Sequence, residues 1–162
     1  MAAESPITIP TLTWASMVKE LRERGRGMRE SGAFLLGRSQ STDRHVVRFV
    51  CYDDLDPRAL TDGMITFHEE GYSALWDLCR AQKMKVLADV HTHPTSDVRQ
   101  SWIDATHPML ATIGHVGLIL PFYGFTRRWS LAGVGVHAFR GSKRWDSWYG
   151  PQKGCPVQLS LW

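Results

Sequence analysis

The stretch from Val90 to Asp104 reads VHTHPTSDVRQSWID, and it follows an apolar run, Lys85 to Val90, with the length and composition of a buried strand. Side chains on a strand alternate between faces, so His91 and His93 point the same way and can converge on one ion. Pro94 stops ladder pairing. Thr95, Ser96 and Asp97 then offer side-chain acceptors suited to capping a following helix. On that helix Ser101 and Asp104 are three apart and share a face. The reading is strand, turn, helix, with four polar groups aimed at one point.

Two neutral imidazole nitrogens and a carboxylate oxygen suit zinc, and three protein ligands leave a fourth position for water, which is the mark of a catalytic site. Other metal sites built on His-x-His fit less well. A metallo-β-lactamase needs His-x-His-x-Asp-His, whereas Pro94, Thr95 and Ser96 follow here. A TIM-barrel amidohydrolase needs about 250 residues, and this chain has 162.

The same residues, His91-Thr92-His93-Pro94, then Pro94 to Gln100, then Ser101-x-x-Asp104, resemble the JAMM signature of the JAB/MPN metallopeptidases. That family also carries an upstream glutamate in a Glu-x-x-Gly-x-Leu-x-Gly pattern, which Glu30-Ser31-Gly32-Ala33-Phe34-Leu35-Leu36-Gly37 resembles, with Ala33 in place of the first glycine and Gly32 beside it. The resemblance implies an α/β fold of mixed α+β type: one JAB/MPN domain over residues 1–162, a curved mixed sheet flanked by helices in a cytidine-deaminase-like layout. It also implies roles. His91, His93 and Asp104 hold one zinc, which lowers the pKa of its water; Glu30 takes the water proton and passes it to the leaving amine. Ser101 donates a hydrogen bond to the oxyanion.

Length and composition agree with one globular domain: 43% of residues are hydrophobic and 22% charged, enough to build a core. No apolar run reaches the ~20 residues of a membrane span, and the opening MAAESPITIP lacks the regions of a signal peptide. Three cysteines, Cys51, Cys79 and Cys155, have neither disulfide nor Cys-x-x-Cys spacing, which suits a reducing, cytoplasmic setting. A net charge of +3 is too mild to point to nucleic acid.

Around this centre, residues 1–8 read as a loose arm, and Thr11 or Thr13 after Pro10 opens a helix through Trp14, Met17, Val18 and Leu21, which Gly25 and Gly27 end. Ser31–Gly37 and His45–Tyr52 read as a strand hairpin. Asp53–Gly63 is an acidic loop, either a solvated connection or a grip on substrate. Met64–Phe67 reads as extended, His68–Gln82 as a helix, and His115–Leu120 and Arg128–Arg140 as strands. The glycines of Ala132-Gly133-Val134-Gly135 allow close packing or a bulge. The aromatic turn Phe122–Phe125 is placed at the groove border; His107-Pro108 reads as the end of the Ser101 helix or a new turn, with His107 either structural or hydrogen-bonded to a ligand. In the tail after Gly141, the aromatic and basic residues read as core cover or a docking face, with Val157–Trp162 as an edge strand.

The substrate that the resemblance implies is the amide or isopeptide bond after the glycine-rich tail of ubiquitin or a ubiquitin-like protein, with the tail bound extended by strand addition. It further suggests partners in activating and conjugating enzymes of a bacterial operon, with an antiviral role against phage. Two other readings stay open: a zinc hydrolase of a sulfur-carrier or small-molecule adduct, and a metal-free MPN scaffold.

Overall fold

Apolar residues three and four apart make the first helix, and short, nearly continuous buried runs make most of the central strands. The structure is a computed structural model and describes residues 4–162. In chain order the elements are β1 (Ile7–Pro10), α1 (Thr11–Gly25), β2 (Gly32–Arg38), β3 (Arg48–Cys51), α2 (Tyr52–Leu55), α3 (Glu69–Gln82), β4 (Met84–Thr92), α4 (Trp102–Thr106), β5 (Val116–Leu120), β6 (Gly135–Gly141), β7 (Arg144–Tyr149) and β8 (Val157–Ser160). A single 3-10 turn, Phe122–Gly124, follows β5.

Six strands form one sheet in the order β3-β2-β4-β5-β6-β7, while β1 and β8 pair in parallel as a separate two-stranded sheet. Only β4 and β5 run parallel within the large sheet; its other neighbours are antiparallel. This is the mixed sheet that the resemblance implied. Between β2 and β4 the register passes from Leu35↔Ala88 to Leu36↔Val86, so Leu87 is an inserted residue, a bulge that adds local twist.

Trp14, Met17, Val18 and Leu21 of α1 pack on one sheet face with Ala33, Leu35, Ala88, Val90, Leu118 and Val136. On the other face Leu75 and Cys79 of α3 cover Phe34, Leu36, Val50 and Tyr52. Burying each such Leu or Val stabilises the fold by roughly 1.5–3 kcal/mol relative to exposure. Met84 and Val86 at the start of β4 join the same cluster, and the cavity on this face is lined further along by Asp89 and His91 of β4, Gly117 and Ile119 of β5, and His137 of β6.

Several boundaries differ from the sequence reading. Residues 1–3 of the expected arm lie outside the described residues; Ile7 and Thr8 instead belong to β1, with Ile7 fully buried, because β8 supplies a partner 150 residues away that no local pattern announces. The hairpin partner of β2 is shorter than expected, since Tyr52 turns into α2. Met64–Phe67 is not a strand, apart from an isolated bridge at Met64. The strand expected from Arg128 starts at Gly135, because Gly133 adopts a positive φ of 80° that breaks extension. Gly135 meets the expectation of close packing: a Cβ there would stand 2.2 Å from the Val98 carbonyl oxygen. β7 was not foreseen; it forms a hairpin with β6 through Ser142 and Lys143, both at positive φ.

Candidate metal centre

The alternation on β4 places Ala88 and Val90 against α1 and turns Asp89 and His91 to the cavity face. His93 lies just beyond the strand and is fixed through its backbone, its N–H donating to the Leu120 carbonyl and its own carbonyl accepting from Tyr123 N–H. Its ring is fixed as well. Nδ1–H donates to the Asp97 carbonyl at 2.9 Å. A carbonyl only accepts, so the neutral ring presents Nε2 as a bare lone pair.

The loop after Pro94 does not cap a helix with Thr95, Ser96 or Asp97, as the sequence reading had it. Thr95 Oγ1 and Asp97 Oδ1 each accept from a backbone N–H two residues on, making local turns. The helix begins later, and Ser101 is its N-cap rather than a residue within it: Ser101 Oγ accepts from Asp104 N–H at 3.1 Å while Asp104 Oδ2 accepts from Ser101 N–H at 2.8 Å, a reciprocal capping box. This cap fixes the Asp104 carboxylate facing the histidines.

The three ligand atoms then fall close together. His91 Nε2 and His93 Nε2 are 3.2 Å apart, His93 Nε2 and Asp104 Oδ2 3.2 Å, and His91 Nε2 and Asp104 Oδ1 3.4 Å. Donors bound about 2.0–2.1 Å from a tetrahedral centre lie roughly 3.3–3.4 Å from one another, so the spacing fits a zinc-sized ion. Lone pairs directed at each other repel without a cation between them. The His91–His93–Asp104 group can therefore hold a metal ion, and its donor set is the one zinc prefers.

Charges respond to this crowding. Burial works to raise the Asp104 pKa, but the facing His91 and His93 rings outweigh it and hold the carboxyl well below the usual carboxylate range. Burial pulls the His93 imidazole down, and the Asp104 hydrogen bond and the Asp97 carbonyl raise it above its ordinary value.

Glu30 lines the same cavity as His91, Ser101 and Asp104. It sits just ahead of β2 rather than within it. Ser31 anchors it, with Oγ–H donating to the Leu21 carbonyl at 2.6 Å and N–H donating to Thr92 Oγ1 at 3.0 Å. The Glu30 N–H donates to the Gly63 carbonyl. Burial raises its carboxyl pKa, and the nearby imidazoles pull it only part of the way back. Gly32 explains why Ala33 is tolerated: a Cβ at Gly32 would lie 2.3 Å from the Tyr52 ring, so the close approach falls at 32 and not at 33.

The cavity encloses about 330 Å³ over β4, β5 and β6, roofed by residues 100–109. His107 lines it, with Nδ1 paired to Thr106 Oγ1 and not to the ligand group. The Phe122–Phe125 turn does not line it. That turn packs instead on α1, where a Cβ at Gly124 would stand 3.2 Å from Arg22 N. In the acidic loop Arg24 donates to Asp53 and Asp54, and the buried Asp56 accepts from His68 Nδ1 at 2.6 Å and from its N–H, whereas Asp54 and Asp62 are exposed. Those bonds hold the 56–68 segment whose Gly63 carbonyl receives Glu30.

Two polar lining groups, Asp89 and His137, are absent from the sequence reading. Asp89 is 4% exposed and accepts from His115 Nε2 at 2.5 Å and Tyr52 OH at 3.3 Å. The available signal was its spacing of two from His91 inside an apolar run. His137, 1% exposed, donates from Nε2 to the Val98 carbonyl at 2.9 Å, and burial lowers its pKa.

A mixed sheet whose third strand in order ends in two converging imidazoles, faced by a capped aspartate, defines an α/β domain built around a potential metal centre. Residues 13–131 match the family described as prokaryotic homologs of the JAB domain, Prok-JAB, and the chain belongs to that family. Among solved structures the chain is similar to a protein of Desulfitobacterium hafniense, at 16% identity and TM-score 0.60 over 94% of this chain and 92% of that one. A Salinibacter ruber protein matches at 14% identity and TM-score 0.50, over 88% and 93%. A JAB1/MPN domain protein of Archaeoglobus fulgidus matches at 13% identity and TM-score 0.46, over 98% and 100%. At these identities the likeness concerns the fold. Among the described residues no helix is long and apolar enough to cross a membrane.

Proposed function

We propose that this chain is a zinc-dependent peptidase that hydrolyses the amide or isopeptide bond after the C-terminal tail of a ubiquitin-like protein. The observation that carries the reading is the cluster in which the His91 and His93 Nε2 atoms stand 3.2 Å apart and each lies 3.2–3.4 Å from one oxygen of Asp104, with Glu30 on the wall of the same cavity. Zinc held by these three residues would supply Lewis acidity, lowering the pKa of water in its open position towards about 7.

The chain's own groups do the rest. The Glu30 carboxylate accepts a proton from the attacking water and delivers it to the leaving nitrogen; burial, by raising its pKa, makes it the stronger base. Ser101 Oγ accepts from Asp104 N–H, which leaves its own hydroxyl hydrogen free to donate to the substrate carbonyl oxygen as negative charge develops there. The roof over the cavity limits bulk water around these groups.

The test is Glu30→Gln with a ubiquitin-like conjugate as substrate. Zinc content and melting temperature stay at the wild-type level, while cleavage falls by about 10²–10⁴. Wild-type cleavage by a folded, zinc-loaded Glu30→Gln protein overturns the mechanism.

A further inference from the structure

We propose that the end of the cavity beyond the metal centre is a pocket for a positively charged nitrogen carried by the leaving group, received by Asp89. The proposal rests on the hydrolase reading above and names the chemistry of the group that departs.

Four observations converge. Asp89 is two residues from His91 on β4, so both side chains face the cavity, with their Cα atoms roughly 6.6 Å apart along the strand. Its neighbour across the ladder is Gly117, which pairs with it in β5. An added Cβ at Gly117 would come 3.6 Å from Asp89 Oδ1. With no side chain there, the carboxylate is left open to the cavity.

The carboxylate also has capacity left. Two oxygens offer about four lone-pair positions, and His115 Nε2 and Tyr52 OH occupy two of them. His115 stands outside the cavity lining, while Tyr52 lines the cavity beside Asp89.

Finally, the cavity is lined by three carboxylates, Glu30, Asp89 and Asp104, and by no lysine or arginine among the described residues. Asp104 is one of the metal ligands, and Glu30 stands near them. Asp89 shares the cavity lining with apolar groups, Ile119 and Met109 among them. A buried carboxylate in such walls favours a cation strongly over a neutral group of equal shape.

Lysine supplies the required spacing, since five carbons separate its two nitrogens. Either nitrogen serves: an α-linked lysine after the scissile bond offers its ε-ammonium, and an ε-linked lysine with a free α-amine offers that. The shared chemistry is a 1,5-diamine.

The experiment has a binding arm and a cleavage arm. Calorimetric titration of the purified protein with 1,5-diaminopentane and with pentylamine isolates the second nitrogen, because both amines reach the metal end equally. The diamine binds about ten- to a hundredfold more tightly. Asp89→Asn and Gly117→Ala both bring the two amines level; the second adds a Cβ at ordinary contact distance, 3.6 Å from Asp89 Oδ1, keeps the carboxylate itself and remains informative if the first misfolds. Matched substrates with α-linked lysine, ε-linked lysine or norleucine in the leaving position then show which linkage gains.

Equal binding of the two amines, or a preference that survives in both variants, overturns the pocket. Cleavage of all three substrates at one rate overturns it while leaving the hydrolase reading intact. Diamine selectivity that depends on Asp89, with no cleavage of any substrate, supports the pocket and sinks the hydrolase reading instead.

Discussion

The two faces of β4 follow different rules. Toward α1 the strand presents Ala88 and Val90, both fully buried in an apolar cluster that includes Leu118 and Val136. Toward the cavity it presents Asp89 and His91, with His115 and His137 nearby, all polar and mostly buried. Buried polar groups cost stability unless each finds a partner. One face stabilises the sheet and the other uses that stability to hold groups where water would otherwise separate them.

Substitutions on each face test this division. The largest effect is expected at His91: His91→Ala takes bound zinc from one per chain to none detectable after dialysis and ends cleavage. Melting of zinc-free samples stays near wild type. A mutant that keeps its zinc breaks the assignment. On the opposite face Leu118→Ala removes a fully buried side chain and should cost about 2–5 kcal/mol in denaturant unfolding. Zinc stoichiometry of the folded fraction is unaffected.

Ser101→Ala touches both functions of one hydroxyl. Loss of the N-cap costs about 0.5–2 kcal/mol, felt locally as faster amide exchange in α4. Turnover falls by about 10²–10³ with zinc retained; unchanged turnover removes Ser101 from the chemistry.

The smallest effect is a pH slope. Burial depresses the His137 pKa below 6.5 in the fold. Above pH 6.5 neither state binds the proton, and below it the unfolded imidazole protonates first. Stability therefore falls as pH drops from 6.5 towards the folded pKa, by at most about 1.4 kcal/mol per pH unit. His137→Gln flattens that part of the stability curve; an unaltered slope assigns it to other groups.

The centre of the molecule was legible because its signals are local. A spacing of two on a strand fixed the common face of His91 and His93, and helical spacing foretold α1 and α3. Glu30 became visible only through its offset from Leu35 and Gly37, since a single acid ahead of a strand carries no signal of its own. The β1–β8 pairing was hidden because both partners are four residues long and far apart in the chain. β7 was hidden because Trp145 and Trp148 are three apart, which breaks the alternation that marks a half-buried strand. The capping role of Ser101 was obscured by three earlier residues, Thr95 to Asp97, of equally good capping type.

The turn after β5 has a mechanical consequence. Phe122, Tyr123 and Gly124 have φ of 52°, 55° and 85°, and the first two, lacking glycine's freedom, each cost about 1–2 kcal/mol in that conformation. Their N–H groups are the ones that hold the Thr95 and His93 carbonyls, while Gly124 abuts the backbone at Arg22 and Phe125 stacks under the Arg22 guanidinium at 5.4 Å. Side chains at 122 and 123 deny the turn the alternative shapes that glycines would allow. The turn thus ties the last turns of α1 to the loop bearing His93, its contacts on both sides holding a shape that its own side chains disfavour.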